Sequence, residues 1–148
     1  MKNSVKKELK NKVDWNYISA NQKLSLDFIR EFKDYVNWIY ISTHQELSEN
    51  FIREFQDKVD WKYISHSQKL SENFIREFQD KVNWNYISEW QKLSKEFIKE
   101  FQDKVNWNWE KIEIWQKITK KDIEELEKLE QKKQKITRVK NKFQLIRF

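Results

Sequence analysis

A gapless internal repeat constrains the fold of this chain more than any other feature. Residues 13–35, 36–58, 59–81 and 82–104 align at a period of 23 residues. Their shared pattern reads V-[DN]-W-x-Y-I-S-x-x-Q-x-L-S-x-x-F-I-[RK]-E-F-x-D-x. Short periods of this kind are typical of solenoids, in which each unit packs against its neighbours and cannot bury its apolar face alone.

Each copy contains two helix starts. The predicted N-cap of the first helix is the Asp or Asn before the tryptophan, and that of the second is the Ser before the second apolar run. The side-chain oxygen of an N-cap accepts a hydrogen bond from a backbone N–H that has no partner inside the helix. In the second run, Phe51, Phe55 and Val59 recur at four-residue intervals, which indicates a helix rather than a strand. We therefore predict an all-α fold, an α-solenoid of stacked antiparallel helix pairs, with two helices of about 8–10 residues per repeat.

The repeat frame also predicts the organisation of the chain. Residues 1–12 fit an N-terminal capping half-repeat, and residues 13–104 hold the four complete repeats. Residues 105–135 fit a degenerate fifth repeat that serves as a C-terminal cap, because terminal repeats are usually atypical. Residues 136–148 form a basic amphipathic tail.

Composition excludes several classes of enzyme. The chain has no glycine, which phosphate-binding loops, nucleophile elbows and dinucleotide motifs require, and it has no cysteine for a disulfide or a thiolate zinc site. His44 and His66 are the only histidines, and two histidines without a convergent carboxylate do not make a zinc site. We predict that the chain is not an enzyme and that it uses no cofactor or metal.

The repeat pattern resembles the short W-x-Y-I-S / F-I-x-E-F helical repeats of uncharacterised proteins from large DNA viruses, phages and AT-rich bacteria. The resemblance spans about residues 13–119. It implies no established activity, and it favours a viral or phage interaction protein only slightly.

Three sets of recurring residues are interpreted as scaffold. The tryptophans, one per repeat, fit packing between repeats with the indole N–H in a hydrogen bond. A ladder of tryptophans could also stack nucleobases. The glutamines are predicted to hydrogen-bond from repeat to repeat. Arg53 with Asp57, and Glu54 with Lys58, predict i,i+4 ion pairs on a solvated face, as do Arg76 with Asp80 and Glu77 with Lys81. The two ladders are Trp15, Trp38, Trp61, Trp84 and Trp107, and Gln22, Gln45, Gln68 and Gln91.

Positions that differ between the copies predict a binding surface, because packing holds scaffold positions fixed. Neutral drift at exposed positions explains the same variation equally well. Trp90 and Trp115, together with Trp109, fit either an exposed aromatic patch or a cover for the tail. The predicted partner-binding residues are Asn16, Ala20, Ile39, Thr43, His44, Lys62, His66, Asn85, Glu89, Trp90 and Trp115.

The basic charge is concentrated at the termini. Residues 1–12 carry +4, residues 13–130 carry −5, and residues 131–148 carry +7 without an acid. The spacing of Ile136, Val139, Phe143 and Ile146 predicts an amphipathic helix, which could bind phosphates or an anionic partner, or could cap the last repeat. The candidate contacts for nucleic acid or an anionic partner are the basic residues of 131–148, namely Lys132, Lys133, Lys135, Arg138, Lys140, Lys142 and Arg147.

These observations favour a non-enzymatic protein-protein interaction solenoid, a viral or phage factor that inhibits or recruits a host protein. The alternative is a single-stranded nucleic-acid-binding protein that uses its basic termini. Self-association stays open, because imperfect caps can stack end to end. The sequence contains no signal-peptide pattern and no membrane-spanning apolar run, so we expect a cytoplasmic protein, in the host cytoplasm if it is viral.

Overall fold

The computed structural model describes residue 8, residues 11–104, residue 112 and residues 118–145, with side chains through residue 142. The regular structure of these residues is helical, and the predicted all-α solenoid of stacked helix pairs is confirmed. The chain divides into two compact units, one ending at Gln91 and the other beginning at Lys92. The boundary between the units therefore falls inside the fourth repeat.

Each repeat of the first unit begins with a seven-residue helix, which is followed by a six-residue helix in the complete repeats. Both are shorter than predicted, because the glutamine after the first helix has extended backbone and the phenylalanine after the second begins a turn. The helices are α1 (Trp15–Asn21), α2 (Leu26–Glu31), α3 (Trp38–His44), α4 (Glu49–Glu54), α5 (Trp61–Ser67), α6 (Glu72–Glu77) and α7 (Trp84–Trp90).

The predicted N-caps are confirmed at every described repeat helix. In repeat two, Asn37 accepts from the backbone N–H groups of Ile39 and Tyr40, and Ser48 accepts from that of Phe51. These bonds satisfy backbone donors that have no partner inside the helix, so short helices can begin at fixed residues. The caps are Asp14, Ser25, Asn37, Ser48, Asp60, Ser71, Asn83 and Ser94.

The core of the first unit repeats with the sequence. The first helices pack side by side in succession, α1 on α3, α3 on α5 and α5 on α7. Between them and the second helices lie isoleucines and phenylalanines with no solvent exposure, which supply the apolar burial that stabilises the stack. These fully buried residues are Ile29, Phe32, Ile41, Phe51, Ile52, Ile64, Phe74, Ile75 and Ile87.

The recurring glutamines connect adjacent repeats, as predicted, but they bond to backbone and not to one another. The Gln45 Oε1 accepts from the backbone N–H of Leu24 at 3.0 Å. Its Nε2 donates to the carbonyls of Ser19, at 2.9 Å, and Gln22, at 2.8 Å. Gln68 and Gln91 repeat these bonds one and two periods later. Each buried amide therefore fixes the register of its repeat on the preceding one.

The serine of the W-x-Y-I-S motif makes a second bridge between repeats. The buried Ser42 Oγ accepts from the backbone N–H of Asp60 at 2.9 Å and donates to the carbonyl of Trp38 at 2.7 Å. Ser65 does the same with Asn83 and Trp61. In the second and third repeats the serine of this motif is thus a buried scaffold residue.

The second helices carry ion pairs between repeats as well as pairs within one helix, such as Arg53 with Glu49, but Arg53 does not pair with Asp57 as the sequence predicted. Arg53 Nη2 lies 2.8 Å from Glu77 Oε2, and Lys58 Nζ lies 3.3 Å from Asp34 Oδ1. The predicted geometry fails because α4 ends at Glu54, so that residues 57 and 58 lie in the turn. Arg30 with Glu54, and Lys81 with Asp57, repeat the observed pairs.

The second unit contains α8 (Lys95–Glu100) and α9 (Lys120–Leu145). Helix α9 starts at a capping box. The backbone N–H of Asp122 donates a hydrogen bond to Thr119 Oγ1, and the backbone N–H of Thr119 donates one to Asp122 Oδ2. The helix continues for 26 residues without a break at residues 135 and 136, where the sequence suggested a boundary. No helix in the described residues is long and apolar enough to cross a membrane.

Candidate functional site

The first helices of the first unit share one outward face. In α3, Ile41 and Ser42 are buried and Trp38 is half-buried, which leaves Ile39, Tyr40 and their neighbours one turn later outside. Because all four first helices have the same register, their outer positions form one surface. This first-helix face consists of Asn16, Tyr17, Ala20, Asn21, Ile39, Tyr40, Thr43, His44, Lys62, Tyr63, His66, Ser67, Asn85, Tyr86, Glu89 and Trp90, none of which is buried.

The first-helix face is poor in charge in a chain that is 36% charged. Lys62 and Glu89 are the only lysine, arginine, aspartate or glutamate residues on it, whereas it holds four tyrosines and a tryptophan. The outer positions of α2, α4 and α6 contrast with it, because nine of their twelve residues are Asp, Glu or Arg. The two surfaces of the unit therefore differ in chemistry, and only the first-helix face combines aromatic side chains with few charges.

An aromatic cluster lies at the end of the face nearest Gln91. The His66 ring lies 4.8 Å from the Trp90 ring and 5.3 Å from the Tyr86 ring, both in edge-on contact. Trp90 nevertheless leaves 56% of its surface exposed. An exposed indole held against a neighbouring ring is typical of the residues that carry binding energy at protein interfaces.

The face extends to the first repeat through exposed apolar side chains. Tyr17 is 56% exposed, Ile39 is 48% exposed and Tyr40 is 37% exposed. The Tyr40 ring lies 6.0 Å from the ring of His44, so this histidine also stands beside an aromatic residue. The tyrosines recur in every copy, and reasoning that assigned repeated positions to the scaffold missed them. Their position two residues after the tryptophan, about 200° around the helix, was the available signal.

Ten of the eleven predicted partner-binding residues lie on this face, and Trp115 lies outside the described residues. Ala20 and Thr43 are only partly exposed. Asn16 accepts a hydrogen bond from Asn37 Nδ2 at 2.7 Å, which ties this residue to the next repeat. Trp109, which the sequence grouped with Trp90, also lies outside the described residues, and the Trp90 ring contacts His66 of the third repeat.

The tryptophan ladder is half-buried, so its assignment to the core is only partly right. The Trp61 ring lies 4.9 Å from Phe78 and 6.2 Å from Phe74, in its own repeat. Its Nε1 donates to the carbonyl of Gln56 at 2.9 Å, which confirms the predicted bonded indole. Trp38 and Trp84 repeat this bond, and Trp107 lies outside the described residues. These rings pack inward on phenylalanines and do not form a ladder of open platforms for bases.

The outer surface of the second helices is a network of exposed ion pairs. Arg53 contacts Glu77 and Asn50, and its guanidinium lies 5.0 Å above the Phe74 ring. Hydrogen bonding to the carboxylate of Glu77 raises the pKa of Arg53 above its ordinary value. Each such residue is engaged by neighbours from its own and the adjacent repeat, so this surface serves chiefly to join repeats.

A charged junction in the second unit replaces an aromatic core residue. Asp122 stands at the position where complete repeats have the first phenylalanine of the second helix. Lys95 Nζ donates to Asp122 Oδ1 at 2.7 Å and to Glu125 Oε2 at 2.9 Å. Hydrogen bonding to Lys95, and then to Thr119, lowers the pKa of Asp122 to about 2, and Lys95 likewise lowers the pKa of Glu125.

The basic side chains of the tail that are described, Lys132 to Lys142, all lie exposed on α9, and Arg147 falls outside the described residues. Among described residues, no group of three or more histidine or acidic side chains is arranged to hold a metal ion. No protein-family model, curated protein or solved structure matches this chain.

Proposed function

We propose that this chain is a non-enzymatic protein-binding solenoid that contacts its partner through the first-helix face. The carrying observation is the composition of that face, which has one lysine and one glutamate among sixteen residues and exposes Tyr17, Ile39 and Trp90. The interior of protein interfaces is depleted of charged residues and enriched in tyrosine and tryptophan, which fits this composition.

The same surface is a poor match for a nucleic-acid backbone. Phosphate binding depends on lysine and arginine, and Lys62 is the single cation of the face. A protein partner with a matching apolar contact, anchored beside His66, Tyr86 and Trp90, would cover the exposed indole. The tyrosine hydroxyls would supply hydrogen bonds around that anchor.

The resemblance of the repeat to viral and phage repeats favours a host protein, encountered in the cytoplasm, as the partner that is inhibited or recruited. A second copy of this chain is the competing occupant. Sedimentation of the purified protein distinguishes the two, because self-association through this face would be concentration-dependent and would leave no face for another protein.

The test is affinity capture with three forms of the full chain. The face variant carries Tyr17→Ser, Ile39→Ser and Trp90→Ser, and the control carries Ile136→Ser and Val139→Ser, which are exposed apolar residues of another surface. We expect a stoichiometric protein that the wild type and the control retain and the face variant loses. Equal capture by all three forms, or capture of nucleic acid alone, would contradict the proposal.

A further inference from the structure

The second half of α9 carries a surface that the proposed function does not use. From Gln131 to Lys142 every side chain is exposed, and the stretch contains six cations and no acid. We call this stretch the basic segment. Its cations are Lys132, Lys133, Lys135, Arg138, Lys140 and Lys142.

The first half of α9 is built differently. It contains five acids and three cations between residues 120 and 130, and it buries Ile123 and Leu126. The carbonyl of Leu126 accepts from Gln102 Nε2 at 2.6 Å, and Asp122 pairs with Lys95. The first half is therefore docked within the second unit, while the basic segment continues the same helix beyond the docked residues.

One side of the basic segment faces the turn that follows α8. Lys133 Nζ lies 3.2 Å from Asp103 Oδ2, and Thr137 and Arg138 line a groove with Gln102 and Asp103. Since a helix turns about 100° per residue, three lysines point away from that groove. These are Lys132, Lys135 and Lys142, and no carboxylate among the described residues pairs with them.

We propose that the basic segment binds duplex DNA through its phosphates. An α-helix with its side chains is about 10–12 Å across, which matches the roughly 12 Å width of the B-DNA major groove. Uncompensated lysines along such a helix gain affinity by releasing counterions from the phosphates. The segment needs no further folding for this contact, because its helix is already anchored at Ile123 and Leu126.

Other polyanions fit the segment less well. Single-strand binding relies on aromatic platforms, and residues 131–142 include no aromatic residue, which disfavours the single strand that the sequence analysis kept as an alternative. The major groove of duplex RNA is too deep and narrow for a helix. Helices that lie on membranes have a broad apolar face, whereas Ile136 and Val139 are the only apolar residues of this segment.

The experiment measures fluorescence anisotropy of a labelled DNA duplex of ~20 base pairs at ~50 and ~200 mM salt. The test variant of the full chain carries Lys132→Gln, Lys135→Gln and Lys142→Gln. A control with the same change in net charge carries Lys23→Gln, Lys69→Gln and Lys92→Gln, three exposed lysines at one repeat position. Circular dichroism verifies that both variants remain helical.

With one phosphate contact for each of the three outward lysines, wild-type affinity should fall about fortyfold between the two salt concentrations, and the test variant should bind the duplex more weakly and with a smaller salt dependence. The control should behave as the wild type. Absent duplex binding, or equal weakening in both variants, would overturn the proposal. Tighter binding to single-stranded DNA, duplex RNA or vesicles of anionic phospholipid than to duplex DNA would overturn it as well.

Discussion

The side-chain Nε2 of Gln68 donates a hydrogen bond to the backbone carbonyl of Ser42, 26 residues earlier and 2.9 Å away. The same amide also donates to the carbonyl of Gln45 and accepts from the N–H of Leu47. All three partners belong to the preceding repeat. One buried side chain thus holds two repeats in register, and this bond pattern recurs at each described junction between first helices.

Gln68→Leu should destabilise the first unit by at least about 3 kcal/mol, because it leaves three backbone groups without their partner at a cost of about 1–3 kcal/mol each. Gln22→Leu is the matched control, since Gln22 holds the same place in the first repeat and is exposed. Urea denaturation followed by circular dichroism measures both. Equal midpoints for the two variants would show that the amide bonds do not hold the repeats together.

Some of the aromatic residues that recur in every repeat are buried in the core and others are exposed on the surface. Substituting one of each kind tests this assignment. Phe74 has no solvent exposure, so Phe74→Ala should cost about 3–5 kcal/mol. Tyr17 is 56% exposed, and Tyr17→Ala should change stability by no more than about 0.5 kcal/mol. Thermal and urea unfolding provide the values. A large loss from Tyr17→Ala would place the tyrosine column in the scaffold and remove it from the binding face.

The Asp122 junction should make the second unit sensitive to acid. Lys95 and Thr119 lower the pKa of the Asp122 carboxyl to about 2, so this carboxylate takes up a proton less readily in the folded state than in the unfolded chain. The ionised Asp122 therefore stabilises the folded second unit fully above the pKa of an aspartate in the unfolded chain, about 4. This stabilisation is lost as the pH falls from about 4 to 2.

Asp122→Asn should flatten the loss of stability in that pH window. Lys95→Gln should make the loss smaller and confine it to higher pH, because it removes the largest cause of the lowered pKa of Asp122. Lys92→Gln, an exposed lysine of the same unit, is the control and should keep the wild-type profile. Unfolding midpoints of the three variants and the wild type, measured between about pH 2 and 5, test these expectations, because that range spans the folded and unfolded pKa values of Asp122. A wild-type profile for Asp122→Asn would contradict the assignment.

The sequence predicted the fold well because its signals are local. The period, the Asp, Asn and Ser caps, and the spacing of residues such as Phe51 and Phe55 all act within one helix or between adjacent positions. Local signals of this kind survive in any packing of the repeats. For that reason the helix pairs and their N-caps appear where the pattern put them.

Contacts between repeats were harder to predict, because they depend on how one copy lies on the next. Arg53 reaches Glu77 in the following repeat instead of Asp57 in the next turn. Gln45 bonds to backbone of the first repeat, and the exposed tyrosines look like scaffold when judged by repetition alone. Variation between copies located much of the first-helix face, but it omitted the part that every copy shares.

Site-specific photo-crosslinking tests the central claim most directly. A photoreactive phenylalanine analogue replaces Ile39, which is 48% exposed on the first-helix face, or Lys33, which is exposed in the turn after α2. Illumination in cells that contain the partner should give a discrete protein adduct from position 39 and none from position 33. Adducts of equal yield from both positions, or from position 33 alone, would contradict a protein-binding first-helix face.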